Sequence, residues 1–155
     1  MASWRCGNMT DNGWRRDLER GKKIEREVLE RMLAVFKETY QTFGKDNRFD
    51  IKIPELQITI EVKFDPRSLE TGNLVVEYYH NRPSGLSTSE ASHWLFVTGN
   101  EEILISKFQL LKCILAERIM PTRIHGPGDY HEKYVFLVPK DLLLRYADAE
   151  HKSDK

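Results

Sequence analysis

The sequence has no long hydrophobic run, few cysteines and no paired histidine spacing, and each of these excludes a class of protein. No segment contains the roughly 20 consecutive apolar residues that a membrane-spanning helix requires, so we expect no membrane association. The two cysteines, Cys6 and Cys113, lie far apart in the chain, and their spacing matches neither a redox motif nor a metal site. The five histidines have no zinc-ligand spacing. We therefore expect reduced thiols and no histidine-bound metal.

The sequence also lacks net charge, because 24 basic residues balance 24 acidic ones. Bulk electrostatics therefore gives no support for nucleic-acid binding. Basic residues are nevertheless concentrated near the N-terminus, at Arg15, Arg16, Arg20, Lys22, Lys23 and Arg26. Such a cluster indicates a nucleic-acid contact when a catalytic motif lies beside it, and otherwise a solvated helix face.

The length and composition predict a single folded domain. The chain has 155 residues, of which 40% are hydrophobic and 31% charged, as in soluble globular proteins with one core. We place this domain at residues 16–150, between a flexible N-terminal arm at 1–15, which lacks periodicity, and a frayed tail at 151–155. Apolar side chains recur at helical spacing over residues 16–43, which predicts one long first helix.

The remaining periodicity predicts mostly strands. Apolar and polar residues alternate at 49–53 and 58–63, and the short connection between them favours an antiparallel hairpin. Further strands are predicted at 74–80, 94–97, 103–106 and 134–138, with helices at 108–118 and 141–149. This order indicates an α/β domain with a mixed central β-sheet flanked by helices.

Three side chains of the predicted hairpin could share one site. Glu61 and Lys63 lie on the same strand face, and Asp50 on the preceding strand can approach Glu61 across the hairpin. Two neighbouring carboxylates repel each other unless a cation lies between them, and oxygen ligands suit Mg²⁺ or Mn²⁺. The ion would activate a water molecule and stabilise charge on a phosphate, while Lys63 would orient the nucleophile or stabilise negative charge. The hairpin therefore predicts phosphodiester hydrolysis.

Three further polar residues each have two alternative roles. Glu25 lies at the centre of the apolar stripe of the first helix, and a core-facing carboxylate requires a partner. That partner is either the same metal, directly or through water, or a buried basic residue. Glu77 either lines the site or forms a salt bridge with Lys63 or an arginine. Ser84 belongs to a polar loop that either contacts phosphates or is an ordinary surface loop.

Two motifs resemble those of known nucleases. Asp50, followed after ten residues by Glu61-Val62-Lys63, resembles the active-site motif of the PD-(D/E)XK nuclease superfamily. The run GKKIER at residues 21–26 resembles the first-helix motif of Holliday junction resolvases and related endonucleases. Residues 72–77 and 84–94 are more weakly similar to small phage-type nucleases. Phe49 stands where the family often has a proline.

The resemblance implies a restriction endonuclease-like core and assigns roles to the motif residues. Asp50, Glu61 and the backbone carbonyl of Val62 would bind the metal, with Glu25 assisting and Lys63 catalytic. The expected DNA contacts are Arg20, Lys22, Lys23, Arg26 and Ser84.

From the residues and the resemblance together, we expect a Mg²⁺- or Mn²⁺-dependent deoxyribonuclease. Structure-specific cleavage of junction or flap DNA, met in recombination, repair or replication, is one possibility, and single-stranded and simple duplex DNA stay open as substrates. The resolvase-like first helix is compatible with a homodimer, because two symmetric nicks need two sites. The alternative is a catalytically inactive nucleic-acid-binding module with the nuclease fold. The lack of a targeting signal favours the cytoplasm of a bacterial or phage-infected cell.

Overall fold

A computed structural model describes residues 11–36, 38–41, 48–125 and 131–153, which form four helices and eight strands. The helices are α1 (Asp11–Val35), α2 (Ser68–Thr71), α3 (Lys107–Ala116) and α4 (Lys140–Ser153). The strands are β1 (Tyr40–Gln41), β2 (Ile51–Ile53), β3 (Ile58–Phe64), β4 (Asn73–His80), β5 (His93–Val97), β6 (Glu102–Ser106), β7 (Pro121–Ile124) and β8 (Lys133–Pro139).

Five strands form a mixed sheet in the order β1-β2-β3-β5-β6, with the two-residue strand β1 at one edge. β2 and β3 are antiparallel, which confirms the predicted hairpin. A 3₁₀ turn at Pro54–Leu56 joins them, and Gln57 closes it in the left-handed conformation with φ 54°. β3 and β5 are parallel, so the chain between them must return to the other end of the sheet. β4 lies in that connection.

The remaining strands form a second, antiparallel sheet in the order β4-β8-β7. The prediction of an α/β protein with a mixed sheet is confirmed, but the expectation of one central sheet is wrong. Strand periodicity identifies the buried face of β4 and β8, not the strand that each pairs with. β7 was not predicted because its residues are mostly exposed and do not alternate.

The helix boundaries differ from the prediction at both ends of the chain. α1 begins at Asp11, so residues 11–15 of the predicted arm are helical, and residues 1–10 lie outside the described part. α1 also ends at Val35 instead of continuing to 43, because Tyr40 and Gln41 pair with β2. α4 continues to Ser153, through three residues of the predicted tail. Within the range predicted as further helical turns, Tyr40 and Gln41 are therefore in a strand, and residues 37, 42 and 43 lie outside the described part.

The mixed sheet separates two hydrophobic cores. α1 covers one face, where Val28 packs with Ile60, Val62, Leu95 and other buried residues. α3, α4 and β4 contribute to the core that contains the opposite-face residues Trp94 and Phe96. Glu61 and Lys63 alternate with Ile60 and Val62 along β3, so they lie on the face away from the α1 core, as predicted. In the part of the chain that the structure describes, no helix has the length and apolarity needed to cross a membrane.

Candidate active site

A cleft of about 1290 Å³ is lined by α1, β3, β4, β8 and the segments beside them. The predicted site residues whose side chains or backbone line it are Lys22, Glu25, Arg26, Asp50, Glu61, Lys63, Glu77 and Ser84. Residues from the first helix, the hairpin and the second sheet are therefore brought to one place. Arg20 and Lys23 do not line the cleft, and Lys23 instead forms an ion pair with Glu27 at 3.7 Å.

Asp50 precedes β2 and contacts the backbone of β3. Its N–H donates to the carbonyl of Ile60 at 3.0 Å, and its carboxylate Oδ2 accepts the N–H of Val62 at 2.7 Å. In a strand, the N–H and C=O of one residue point to the same side, so the Val62 carbonyl also faces the Asp50 side of β3. The side chain of Val62 is buried in the core, and Val62 is not among the residues that line the cleft, so only its carbonyl could contact an ion beside Asp50.

Glu61 is held on both carboxylate oxygens. It is only 8% exposed, its Oε1 lies 2.6 Å from Nζ of Lys63, and its Oε2 accepts the hydroxyl of Ser89 at 3.1 Å. Nζ of Lys63 also lies 5.5 Å from the centre of the Trp94 ring, within cation–π range. The ammonium of Lys63 therefore contacts both the carboxylate of Glu61 and the face of the Trp94 ring.

Burial and neighbouring carboxylates disfavour the ionisation of Glu25 and Asp50. Burial and the neighbouring Asp50 raise the pKa of Glu25 from 4.5 to about 7, partly opposed by Lys63. Burial and the charge of Glu61 raise the pKa of Asp50 from 3.8 to about 6, although the Val62 N–H opposes this. Burial acts to lower the pKa of Lys63, but Glu61 and Asp50 outweigh it and the pKa is raised, so Lys63 is an ammonium at neutral pH. Burial and repulsion in this cleft thus favour the protonated forms of Glu25 and Asp50 beside a charged Lys63.

This donor set fits a hard divalent cation. Asp50, Glu61 and the Val62 carbonyl supply oxygen ligands, and Glu25 interacts electrostatically with Asp50 and Glu61 in the same cleft. A divalent ion would stabilise the ionised forms of these carboxylates and so oppose the burial and repulsion that raise the pKa values of Glu25 and Asp50. Among the described residues, no three His, Cys, Asp or Glu side chains are already grouped closely enough to hold a metal. To bind the ion, Glu61 would have to give up its ion pair with Lys63.

We expect metal-free protein to carry a pH-dependent cost at Asp50. Its folded pKa of about 6 exceeds the usual 3.8, so unfolding releases a proton between these values and rising pH favours the unfolded chain. In EDTA, Asp50→Asn should therefore have a higher Tm than wild type, by roughly 2–4 °C. This difference in Tm should increase between pH 4 and 6 and stay constant above pH 6. A Tm difference independent of pH, measured by circular dichroism, would contradict the assignment.

Glu77 of β4 also lines the cleft. Nζ of Lys133 lies 2.8 Å from its Oε2, and the hydroxyl of Ser84 donates to its Oε1 at 2.8 Å. Burial acts to raise the pKa of Glu77, but the hydrogen bonds from Lys133 and Ser84 lower it below the usual value. Glu77 therefore lines the cleft as an ionised group. It is paired with a lysine of β8, which the sequence did not identify, instead of with Lys63 or an arginine.

Gly85 lets the segment after β4 approach Glu77 closely. It has φ +50°, and a Cβ atom there would lie 2.2 Å from the carbonyl oxygen of Glu77. Gly72 has φ +72° with no neighbour within 4 Å of its Cβ position, so it is a matched control for backbone strain. We expect Gly72→Ala to cost about 1 kcal/mol and Gly85→Ala at least about 2 kcal/mol. Equal losses in urea denaturation would show that the close contact is unimportant.

Several polar residues of the cleft were not identified from the sequence. Arg67, Arg82 and Lys133 add positive charge, and Ser89 contacts Glu61. The three basic residues come from separate segments, so they form no run in the sequence. Ser89 belongs to the same polar loop as Ser84, for which a phosphate contact was predicted. Nothing in the sequence pattern distinguishes a buried serine of this loop from an exposed one. Residues 84–89 contain four serines and threonines, and only the folded chain shows that Ser89 is the one of them that is buried.

Comparisons of the chain with protein-family models, with curated proteins and with solved structures yield no match. A functional assignment therefore depends on the residues of the cleft and on their chemistry.

Proposed function

We propose that this protein is a Mg²⁺- or Mn²⁺-dependent DNA nuclease of the PD-(D/E)XK type with a restriction endonuclease-like core. The observation that carries the proposal is the convergence of Asp50, Glu61 and Lys63 in one cleft, with the Val62 backbone beside them. The raised pKa values of Asp50 and Glu25 support it, because perturbed carboxylates in a cleft are typical of functional sites.

Five residues have a role in the proposed chemistry. Asp50, Glu61 and the Val62 carbonyl bind the cation, and Glu25 contributes a further carboxylate directly or through water. The bound cation supplies a water of lowered pKa and offsets charge on the phosphate. Lys63, an ammonium at neutral pH, donates hydrogen bonds that orient the nucleophile or stabilise negative charge.

The cleft also offers contacts for a DNA backbone on two sides. Lys22 and Arg26 lie on α1, whereas Arg67, Arg82 and Ser84 lie on segments around the second sheet. Basic side chains and hydroxyls are the groups that contact phosphates, and such contacts orient DNA without reading its sequence. We infer that the reacting strand passes between these two sides. Junction and flap DNA are the substrates that the resemblance of the first helix to resolvases suggests, and single-stranded and duplex DNA are the alternatives.

One observation favours a binding module without turnover. The described residues contain no preformed group of three metal-ligating side chains, and Glu61 forms an ion pair with Lys63 instead of being free to bind a cation. A protein of this kind would bind DNA through its basic residues in a salt-dependent manner. It would show no cation-dependent cutting.

The test is incubation of wild type with labelled four-way junction, flap, single-stranded and linear duplex DNA, in Mg²⁺, Mn²⁺ or EDTA. Asp50→Asn and Lys63→Ala, purified in parallel, exclude a contaminating nuclease. We expect metal-dependent cleavage by wild type alone. Salt-dependent binding without cleavage in either metal would overturn the nuclease and support the binding module. Sedimentation of the same samples tests the homodimer.

A further inference from the structure

Ser89 lies between β4 and β5 and contacts the proposed metal ligand Glu61. Its side chain is buried, at 4% exposure. The hydroxyl lies 3.1 Å from Oε2 of Glu61 and 3.4 Å from the carbonyl of Arg48. A hydroxyl has one proton, and the shorter bond to a charged acceptor is the stronger one. The proton of Ser89 is therefore directed to Glu61, while its Oγ accepts the N–H of Ala91 at 3.2 Å.

The backbone around Ser89 is fixed from three directions. Its N–H donates to the carbonyl of Gly85 at 2.8 Å. Its carbonyl accepts Nζ of Lys107, the first residue of α3, at 2.6 Å. The next residue, Glu90, donates its N–H to the carbonyl of Arg48 at 2.7 Å, two residues before Asp50. The Ser89 hydroxyl is thus held in place relative to both β3 and the segment that carries Asp50.

These contacts divide the two oxygens of Glu61 between different partners. Oε2 receives a hydrogen bond from a buried residue of the rigidly anchored segment, and Oε1 faces the ammonium of Lys63. The ammonium belongs to a flexible side chain that is 38% exposed, so it can move aside more readily than Ser89. Oε1 is therefore the oxygen of Glu61 that can exchange its partner, and Ser89 holds the carboxylate in the orientation that presents it.

We propose that Ser89 is a positioning residue that orients Glu61 for the divalent cation, and that Lys107 fixes Ser89 in turn. This inference rests on the proposed function, because it assigns Glu61 to the metal. Residues that hydrogen-bond a metal ligand fix its orientation, and their loss lowers metal affinity by roughly 10–100-fold. Ser89 is buried with its hydroxyl on Glu61, and Lys107 does not line the cleft, so their effect should fall on metal affinity and not on the rate at saturating metal.

The test is a calorimetric Mn²⁺ titration of the full chain without DNA, at pH 8, for wild type and Ser89→Ala. Ser87→Ala is the matched control, because Ser87 lies in the same segment and donates to the Tyr78 carbonyl at 2.7 Å, away from Glu61. We expect the Kd for Mn²⁺ to rise at least about 10-fold in Ser89→Ala and to stay unchanged in Ser87→Ala. The half-saturating Mn²⁺ concentration for cleavage should rise by the same factor. The rate at saturating Mn²⁺ should stay within about threefold of wild type.

Lys107→Met provides a second variant in case Ser89→Ala does not fold. It keeps the hydroxyl but removes the bond to the Ser89 carbonyl, and we expect the Kd for Mn²⁺ to rise several-fold. Lys112→Met, an exposed position on the same helix, is its control and should bind as wild type does.

Two failures can be told apart. If wild type binds Mn²⁺ and Asp50→Asn does not, but folded Ser89→Ala or Lys107→Met binds with the wild-type Kd, the positioning role is overturned and the metal site stands. If wild type binds no Mn²⁺, the metal site and the positioning role are both overturned. A loss of rate at saturating Mn²⁺ with unchanged Kd would also contradict the inference.

Discussion

Asp50→Asn is expected to lower the rate of Mg²⁺-dependent DNA cleavage by roughly 10³-fold. The substitution keeps an oxygen that can accept the Val62 N–H, which Oδ2 of Asp50 now accepts at 2.7 Å. The hairpin should therefore stay intact. The negative charge is lost, however, and with it an anionic ligand of the cation that activates water and stabilises the phosphate. Cleavage of labelled DNA under single-turnover conditions, together with Mn²⁺ affinity from calorimetry, measures both effects.

Asp65→Asn is the matched control for Asp50→Asn. Asp65 is a carboxylate that lines the same cleft, and burial raises its pKa too, against opposing backbone hydrogen bonds. Its Oδ2 accepts the N–H of Val75 at 2.9 Å and connects the end of β3 to β4, a bond that asparagine can preserve. We expect Asp65→Asn to cleave within about threefold of wild type. If both variants lose cleavage equally, or if Asp50→Asn keeps it, Asp50 has no special role.

Lys63→Ala is expected to reduce cleavage by roughly 10²–10³-fold while leaving Mn²⁺ binding as tight as in wild type or tighter. Lys63 lies 2.6 Å from Oε1 of Glu61, so its removal frees a carboxylate oxygen and deletes a positive charge near the cation. Both changes favour metal binding. The ammonium that would orient the nucleophile or stabilise the phosphate charge is lost at the same time. The change in metal affinity therefore distinguishes a metal ligand from a catalytic group: Asp50→Asn should weaken metal binding, whereas Lys63→Ala should not.

Lys140→Ala controls for the loss of a partly buried lysine. Nζ of Lys140 lies 2.6 Å from Oε1 of Glu101, in a comparable ion pair, and its side chain is 19% exposed. Neither residue of this pair lines the proposed active-site cleft. Lys140→Ala should cost some stability but leave cleavage and Mn²⁺ affinity near wild type. Wild-type cleavage by Lys63→Ala, or weaker Mn²⁺ binding by it, would remove Lys63 from the proposed mechanism.

The central residues of the candidate site could be predicted because their positions depend on local structure. Asp50 and Glu61 lie on opposite arms of a short hairpin, and Glu61 and Lys63 are two residues apart on one strand. The period of a strand and the reach of a tight connection suffice to bring them together. Glu25 was identified because a carboxylate interrupted the apolar stripe of α1, and it does line the cleft.

The residues that surround this centre could not be predicted in the same way. Ser89 and Lys133 are 28 and 56 positions from Glu61 and Glu77, respectively. They reach their partners only after β5 joins β3 and β8 joins β4. Basic residues such as Arg20 and Lys23 formed an obvious cluster in the sequence but lie outside the cleft, whereas Arg67 and Arg82 line it. Proximity along a helix does not determine which exposed side chains face a site built from other elements.

Local patterning is enough to predict the α/β class, the β2–β3 hairpin and the faces on which Glu25, Glu61 and Lys63 lie, because helix and strand periodicities act over a few residues. Three features depend instead on long-range packing: β4 and β8 form a second sheet, an edge strand follows α1, and Glu61 lies between Lys63 and Ser89. Apolar patterning specifies how much of each element is buried, while the pairing of distant strands depends on how all the buried faces pack together.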